Sequence, residues 1–253
     1  MKMMKRMIAL VAILVMMLCM TACGGKTETL VVGITDFAPM DYQNEDGEWI
    51  GYDADLAKAF AKSLGMDVEF VEIEWDNKIM ELDNGNIDCV WNGMTLTDEV
   101  KAGMSTSNAY LKNAQVVVMP KDKADSYKTV EDMKALNFAV EKGSAGAGAA
   151  DDNGFKKTEV LDQATALMEV KAGTSDAAII DLLMAGAMIG EGTSYENLTF
   201  SVELTSEEYG IGFKKDSELT AKLNDFLKDA YEDGTMADLA KTYGISDKNI
   251  IAQ

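Results

Sequence analysis

Short apolar runs alternate with amphipathic segments over the first third of the chain. The runs at residues 30–34, 68–73 and 87–91 are rich in β-branched side chains and are predicted as buried strands. The segments at 54–64 and 77–84 are predicted as helices, and Asp53 stands where the first of them needs an N-cap. This βαβαβ order predicts a parallel sheet with right-handed crossovers.

A second series of strands and helices begins near residue 115. Its predicted strands lie at 115–119, 137–140, 158–161, 177–180 and 198–204, and its predicted helices lie at 163–171, 182–189 and beyond residue 218. In both halves, a helix end, a glycine, a short turn and an aspartate (Asp88 or Asp176) precede a strand. This internal echo favours two similar α/β lobes over one sheet.

The first 25 residues predict an extracytoplasmic, lipid-anchored protein. Lys2, Lys5 and Arg6 precede an apolar run at residues 7–20, which is shorter than the roughly 20 residues that span a bilayer. Small residues then surround Cys23, as at the site where bacterial lipoproteins are cleaved and acylated. We expect a signal peptide at 1–22, lipidation of Cys23 and a tether at 23–29. The alternative is an ordinary signal peptide with an incidental cysteine.

Composition narrows the function classes. The chain has no His, and its single Arg is Arg6, so a His base, a His metal ligand and a guanidinium clamp are all excluded after cleavage. The formal charge is −20, with 23 basic and 43 acidic residues, which disfavours nucleic acid and attracts cations. No metal-site spacing occurs, no cofactor is expected, and Cys89 is predicted to be a buried free thiol.

Five stretches carry a family resemblance: residues 32–42, Gly-Tyr-Asp-Ala-Asp-Leu-Ala at 51–57, Gly-Asn-Ile-Asp at 85–88, Asn-Gly-Met-Thr-Leu-Thr at 92–97 and Tyr-Gly-Ile-Gly-Phe at 209–213. Together they resemble the extracellular solute-binding proteins of polar amino-acid ABC importers, family 3. The resemblance implies an α/β, two-lobed type II periplasmic-binding-protein fold with parallel-rich sheets and two hinge crossovers. It places lobe 1 at 30–117 and 210–253, and lobe 2 at 118–209.

The resemblance also implies a ligand site in the cleft between the lobes. The candidate residues are Asp36, Phe37, Trp75, Trp91, Asn92, Gly93, Met94, Thr95, Thr97, Glu141, Ser144 and Asp181. The aromatic residues would cover the ligand's side chain, the 92–97 loop and Ser144 its main-chain atoms, and Asp181 its α-ammonium. Several of these residues have a structural alternative: a lid on the core for Phe37, core packing for Trp91, helix capping for Thr97, Ser144 and Asp181, and solvated charge for Asp36 and Glu141.

One departure from the family pattern bears on the ligand. Val100 stands where family members carry the Arg that binds the ligand's α-carboxylate, and Ala145 replaces a second hydroxyl. Either Lys101 or backbone N–H groups bind the carboxylate, or the ligand is an amine or other cation that lacks one; a third alternative is that the change abolishes binding.

The leading hypothesis is a monomeric, non-enzymatic binding protein that delivers its ligand to an ABC permease and ATPase, since the chain has no P-loop. The alternatives are a sensor with the same ligand, or a dehydratase or lyase that uses Glu141 or Asp181 as a general acid.

Overall fold

The computed structural model describes residues 27–253, apart from the side chain of residue 201. The predicted signal peptide, Cys23 and most of the tether therefore lie outside the described residues. The strands are β1 (Thr29–Ile34), β2 (Tyr42–Gln43), β3 (Trp49–Ile50), β4 (Asp67–Glu72), β5 (Cys89–Thr95), β6 (Ser105–Thr106), β7 (Leu111–Asn113), β8 (Gln115–Pro120), β9 (Asn137–Glu141), β10 (Lys156–Val160), β11 (Ala177–Asp181), β12 (Leu198–Glu203) and β13 (Glu207–Phe213). The α-helices are α1 (Tyr52–Ser63), α2 (Lys78–Asn84), α3 (Asp98–Gly103), α4 (Ala145–Asp152), α5 (Gln163–Ala172), α6 (Leu182–Met188), α7 (Leu219–Glu232) and α8 (Thr235–Thr242).

The longer strands form two mixed sheets. The first has the order β4-β1-β5-β13-β6, with β7 also paired to β13. In it β1 is parallel to β4 and β5, while β13 is antiparallel to its neighbours. The second has the order β10-β9-β11-β8-β12, with β9 parallel to β10 and β11, and β8 antiparallel to β11 and β12. The predicted two-lobed α/β architecture is confirmed.

The chain passes between the sheets at two places. Ala114 separates β7 in the first sheet from β8 in the second, and residues 204–206 separate β12 from β13. We therefore define lobe 1 as residues 27–113 and 206–253, and lobe 2 as 114–205. The boundaries predicted at 117/118 and 209/210 lie inside β8 and β13, four residues later along the chain than the observed ones. Sequence pattern marks the ends of strands, whereas the sheet to which a strand belongs depends on its pairing partner.

The internal echo has a structural counterpart in both lobes. Helices α2 and α5 end at Gly85 and Gly173, each with a left-handed backbone (φ 72° and 76°) that favours glycine. Asp88 Oδ2 then accepts a hydrogen bond from the Val31 N–H (2.8 Å), and Asp176 Oδ2 accepts one from the Asn137 N–H (3.0 Å). Each aspartate thus fastens the turn to the strand beside it, at the same place in each lobe.

Two local predictions in lobe 1 were wrong. Strand β5 continues to Thr95 because its end pairs with β13, so residues 92–95 are strand rather than loop. Helix α1 begins at Tyr52, and Gly51, not Asp53, is its N-cap. Gly51 has φ 133°, and a Cβ there would lie 2.1 Å from the Met40 carbonyl oxygen, so close packing and backbone geometry require glycine. Asp53 instead lies fully buried inside lobe 1.

Candidate functional site

A cleft of about 400 Å³ lies between the lobes. Ten of the predicted site residues line it: Phe37, Trp75, Asn92, Gly93, Met94, Thr95, Thr97, Glu141, Ser144 and Asp181. They come from the carboxyl ends of strands in both lobes and from the helix starts that follow, which is where open α/β sheets place their ligands. The structure therefore brings most of the predicted residues to one surface.

Trp91 and Asp36 do not line the cleft. Trp91 is fully buried in lobe 1, where its ring packs 6.1 Å from that of Phe60, so the core-packing alternative describes it. Neighbouring side chains of a strand point to opposite faces, and Trp91 occupies the helix-covered face of β5. Asp36 is exposed, and its pKa is raised by desolvation and then by the charge of Asp162 in the opposite lobe.

Two aromatic side chains form the apolar wall in lobe 1. Phe37 is buried and meets Tyr209 edge to face, with ring centroids 6.5 Å apart. Gly93 allows this packing, because a Cβ there would lie 2.5 Å from the Phe37 ring. Trp75 is also buried and begins the short 3₁₀ turn before α2. Aromatic rings in a cleft are suited to a cationic ligand, at about 0.5–2 kcal/mol per contact.

A buried network that the sequence did not predict holds the end of β5. Asp53 accepts hydrogen bonds from the Gly93 N–H (2.7 Å) and from the Tyr110 hydroxyl (2.7 and 2.8 Å). The Asn92 amide donates to Asp41 Oδ2 (2.8 Å) and to the Thr35 carbonyl (3.0 Å). Burial is the main cause that raises the pKa of Asp53 to about 7 and that of Asp41 well above its usual range. Since the Asn92 side chain is committed to this network, its free contacts toward the cleft are main-chain atoms.

Two cleft hydroxyls also cap helices. Thr97 Oγ1 accepts from the Val100 N–H (3.2 Å) at the start of α3, and Ser144 Oγ accepts from the Ala147 N–H (3.1 Å) at the start of α4. The capping alternative is therefore correct for both, and it is compatible with their position in the cleft. Each hydroxyl still has its hydrogen as a donor that a ligand can use.

Asp181 is the centre of a hydrogen-bond network at the hinge. Its carboxylate accepts from Gln115 (3.1 Å) and Tyr209 (2.5 Å), and also from Asn113 and Gln163. Its N–H donates to the Gln163 side chain (2.9 Å), whereas its own side chain caps no helix. Asp181 thus connects the crossover strands of both lobes.

Glu207 is a second hinge carboxylate that the sequence did not single out. The Asn113 and Gln115 amides each donate one N–H to Asp181 and one to Glu207 Oε1, the latter at 2.8 and 2.6 Å. Two carboxamides therefore bridge two carboxylates across the crossovers. Burial, followed by the charge of Glu207, raises the pKa of Asp181 to about 7, and burial raises that of Glu207.

Glu141 adds a third carboxylate at the end of β9. It is buried, and its Oε1 has no hydrogen-bond partner in the described part of the chain. Its pKa is raised well above the usual range by burial and then by the charges of Asp181 and Asp162. A buried acceptor without a partner is costly, so this carboxylate is ready for a donor from a ligand.

Lys78 is the principal cleft residue that sequence reasoning missed. It opens α2 and is only 5% exposed; its ammonium lies 5.0 Å over the Trp75 ring and donates to the Gly143 carbonyl of lobe 2 (3.0 Å). Burial lowers its pKa. The available signal was its place three residues after Trp75, one turn along the same face. By contrast, Lys101 is exposed and does not line the cleft, whereas Val100 does.

The lobes touch each other beside Lys78. Lys142 of lobe 2 forms an ion pair with Asp76 of lobe 1 (2.8 Å), and Gly143 lies against the Asp76 backbone. Together with the Lys78 hydrogen bond, these contacts close one side of the cleft. They involve residues that the sequence pattern assigns to separate lobes, so only the folded chain shows that they meet.

The comparisons with known proteins agree with this geometry. The family model for bacterial extracellular solute-binding proteins, family 3, matches residues 30–246. The chain is similar to the arginine-binding extracellular protein ArtP of Bacillus subtilis (strain 168), with 29% identity over 97% of this chain and 100% of that protein. It is also similar to a probable histidine-binding protein of Neisseria gonorrhoeae, with 30% identity over 86% of this chain and 87% of that protein.

A solved structure gives the same result for the fold. An ancestral arginine-binding protein bound to arginine is 35% identical, with a TM-score of 0.79, over 85% of this chain and 97% of that one. In residues 27–253, no helix is long and apolar enough to cross a membrane, and no group of three His, Cys, Asp or Glu side chains could hold a metal ion.

Proposed function

The chain belongs to the bacterial extracellular solute-binding proteins, family 3, and we propose that its solute is an amino acid with a cationic side chain, captured between the lobes for an ABC importer. The charge of the cleft is the observation that carries the proposal. Six carboxylate residues line it against one lysine: Asp98, Glu99, Glu141, Asp152, Asp181 and Glu207. A site with this balance attracts cations and repels anionic amino acids.

The arrangement suggests that different residues of the cleft bind different parts of the ligand. The unpartnered Glu141 carboxylate accepts N–H groups from one cationic end of the ligand, while Asp181 and Glu207 at the hinge accept from the other. Trp75 and Phe37 cover the apolar stem between them. The arginine-binding relative and the arginine-bound structure support a ligand of this kind.

Titration calorimetry with arginine and citrulline tests the proposal, since the two differ in charge but little in shape. We expect arginine to bind at least tenfold more tightly than citrulline. Glu141→Gln should lower the affinity for arginine by about ten- to a hundredfold, because a charge-assisted hydrogen bond is worth about 1.5–3 kcal/mol. Citrulline should be little affected.

Asp125→Asn is the matched control for net charge, because the Asp125 side chain is 98% exposed and lies outside the cleft. It should leave both affinities unchanged. Equal affinity for arginine and citrulline, or no binding of any amino acid or amine, would overturn the proposal. As a binding protein, the chain should also return its ligand chemically unchanged, which mass spectrometry of the recovered ligand checks.

We further propose that the chain is a lipoprotein anchored through Cys23 and works as a monomer beside a permease and ATPase. The small residues around Cys23 and the preceding apolar run support the anchor. Metabolic labelling with a palmitate analogue should mark the wild-type chain and spare a Cys23→Ser variant. Labelling of both chains would refute this assignment.

A further inference from the structure

The cleft contains one lysine among the lining residues of the described chain, and its position is unusual. Lys78 has three N–H donors. Two of them are used, toward the carbonyls of Trp75 (3.2 Å) and Gly143 (3.0 Å). In the described residues, no carboxylate oxygen lies within 4.0 Å of its nitrogen. Apart from its contact with the Trp75 ring face, the third N–H donor has no partner in the described residues, and no protein carboxylate neutralises this buried cation.

A second group of donors lies on the opposite wall. The α4 helix starts after Ser144, whose backbone and side-chain oxygens accept from Gly148 and Ala147. The N–H groups of Ala145 and Gly146, in the first turn, have no intrahelical partner, and Ala145 lines the cleft. Lys78 reaches this segment directly, because its bond to Gly143 ends one residue before the N-cap.

We propose that Lys78, together with the N-terminus of α4, binds the α-carboxylate of the ligand and so makes the protein selective for amino acids over the corresponding amines. The inference rests on the proposed function, since it concerns the α-carboxylate of the same ligand. It also explains why Val100 can replace the Arg that family members carry at the start of α3: the cation is supplied by Lys78 on helix α2. It also excludes Lys101, which is exposed outside the cleft.

The electrostatic surroundings fit a carboxylate at this point and not elsewhere in the cleft. The charged groups that act on Lys78 are Glu99, Glu141 and Asp76, all acidic and all beyond ion-pair distance. A ligand carboxylate would be repelled by these groups at any place where no cation intervenes. Lys78 provides that cation where the two lobes meet.

The test measures affinities for two pairs of probes: arginine with agmatine, and lysine with cadaverine. Each pair differs only in the α-carboxylate. For the wild-type chain, we expect the amino acid to bind more tightly than its amine. Lys78→Met should lower the affinity for the amino acid by about ten- to a hundredfold, and the affinity for the amine should stay constant or rise. Lys78→Arg should restore part of the preference.

Lys142→Met is the matched control. It also removes a cation that bridges the lobes, through Asp76, but this side chain is 59% exposed and lies outside the cleft. It should change the affinities for both members of a pair by the same factor. Unchanged melting temperatures of the ligand-free variants would exclude misfolding as the cause of any loss.

Three results would overturn the inference: an equal loss for amino acid and amine in Lys78→Met, no loss for either, or a wild-type chain that binds both equally. An equal loss would assign Lys78 to lobe closure alone. Failure of the proposed function looks different, because the wild-type chain would then bind none of the four probes, or would bind citrulline as tightly as arginine.

Discussion

Gly143 allows the lobes to approach, and replacing it by Ala should prevent this. The residue has φ +71°, and a Cβ built on it would lie 2.8 Å from the Asp76 Cα in the opposite lobe. Ordinary contacts begin at 3.4 Å, so the two backbones must move apart by about 0.6 Å. The flexible end of a side chain could yield to such a contact, whereas a backbone atom held in the 3₁₀ turn at Trp75–Asn77 cannot.

The displacement is enough to break the adjoining hydrogen bond. The Lys78 nitrogen lies 3.0 Å from the Gly143 carbonyl, and a further 0.6 Å places it at about 3.6 Å, beyond hydrogen-bond distance. Losing a bond from a charged donor costs about 1.5–3 kcal/mol, which corresponds to about ten- to a hundredfold in ligand affinity. The positive φ adds about 1–2 kcal/mol of strain, which lowers the stability of the free chain.

Alanine variants of two other glycines in lobe 2 distinguish the effect of backbone strain from that of the steric clash with Asp76. Gly154→Ala has φ +62° with nothing within 4 Å, so it should lower the melting temperature as Gly143→Ala does but leave arginine affinity unchanged. Gly148→Ala lies in α4 with no protein atom within 4 Å of its Cβ, so it should leave the closure of the lobes unchanged. Calorimetry gives the affinities, and thermal denaturation of the ligand-free chains gives the stabilities.

If Gly143→Ala and Gly154→Ala both bound arginine as tightly as wild type, the proposed effect of the steric clash would be refuted. The contact between Gly143 and Asp76 would then not form part of the ligand-bound arrangement. A loss of affinity in both variants would show instead that strain in lobe 2, rather than contact between the lobes, controls binding.

Three further predictions concern buried carboxylates. Tyr110→Phe should lower the free energy of unfolding by about 1.5–3 kcal/mol in urea, while Tyr127→Phe, at a half-buried tyrosine of lobe 2, should not. The pKa of Asp53 is raised to about 7, so the folded state binds the Asp53 proton more tightly than the unfolded state does. As the pH rises from about 4 to about 7, the free energy of unfolding of wild type, measured in urea, should therefore fall relative to that of Asp53→Asn. The same pH dependence of the free energy of unfolding in both proteins would contradict this. The pKa of Asp181 is also raised to about 7, so arginine affinity should fall about tenfold from pH 8 to pH 6, with proton release in calorimetry; a flat profile would count against its ionisation on binding.

Local signals predicted the elements well because each depends on residues close in sequence. The glycine that ends α2 and the following Asp88 have counterparts in Gly173 and Asp176 of lobe 2. In both lobes the glycine ends a helix, and the aspartate bonds to the neighbouring parallel strand. Asp53 shows the limit of such signals. It has the residue type and position of an N-cap, yet its partners are Gly93 and Tyr110, which lie 40 and 57 residues away.

The cleft was predicted in outline for a similar reason. The carboxyl ends of parallel strands meet at one edge, so Phe37, Trp75 and Glu141 could be placed there from the sequence. Trp91 could not be distinguished from them, because the face of a strand that meets the core is set by the helix packed against it. Its burial against Phe60 of α1 is a tertiary property.

By itself, the sequence determined the order of strands and helices, the two-lobed class, the acidic character and the absence of a guanidinium at the expected carboxylate site. The first three follow from hydrophobic periodicity, turn residues and composition, which are local or additive properties, whereas the expected place of the guanidinium comes from the family resemblance. Only the tertiary structure decided that Asn113, Gln115 and Glu207 converge on Asp181, and that Lys78 enters the cleft. The physical reason is that hydrogen bonds and charges act over a few ångströms, and those distances are set by lobe packing between residues far apart in the chain.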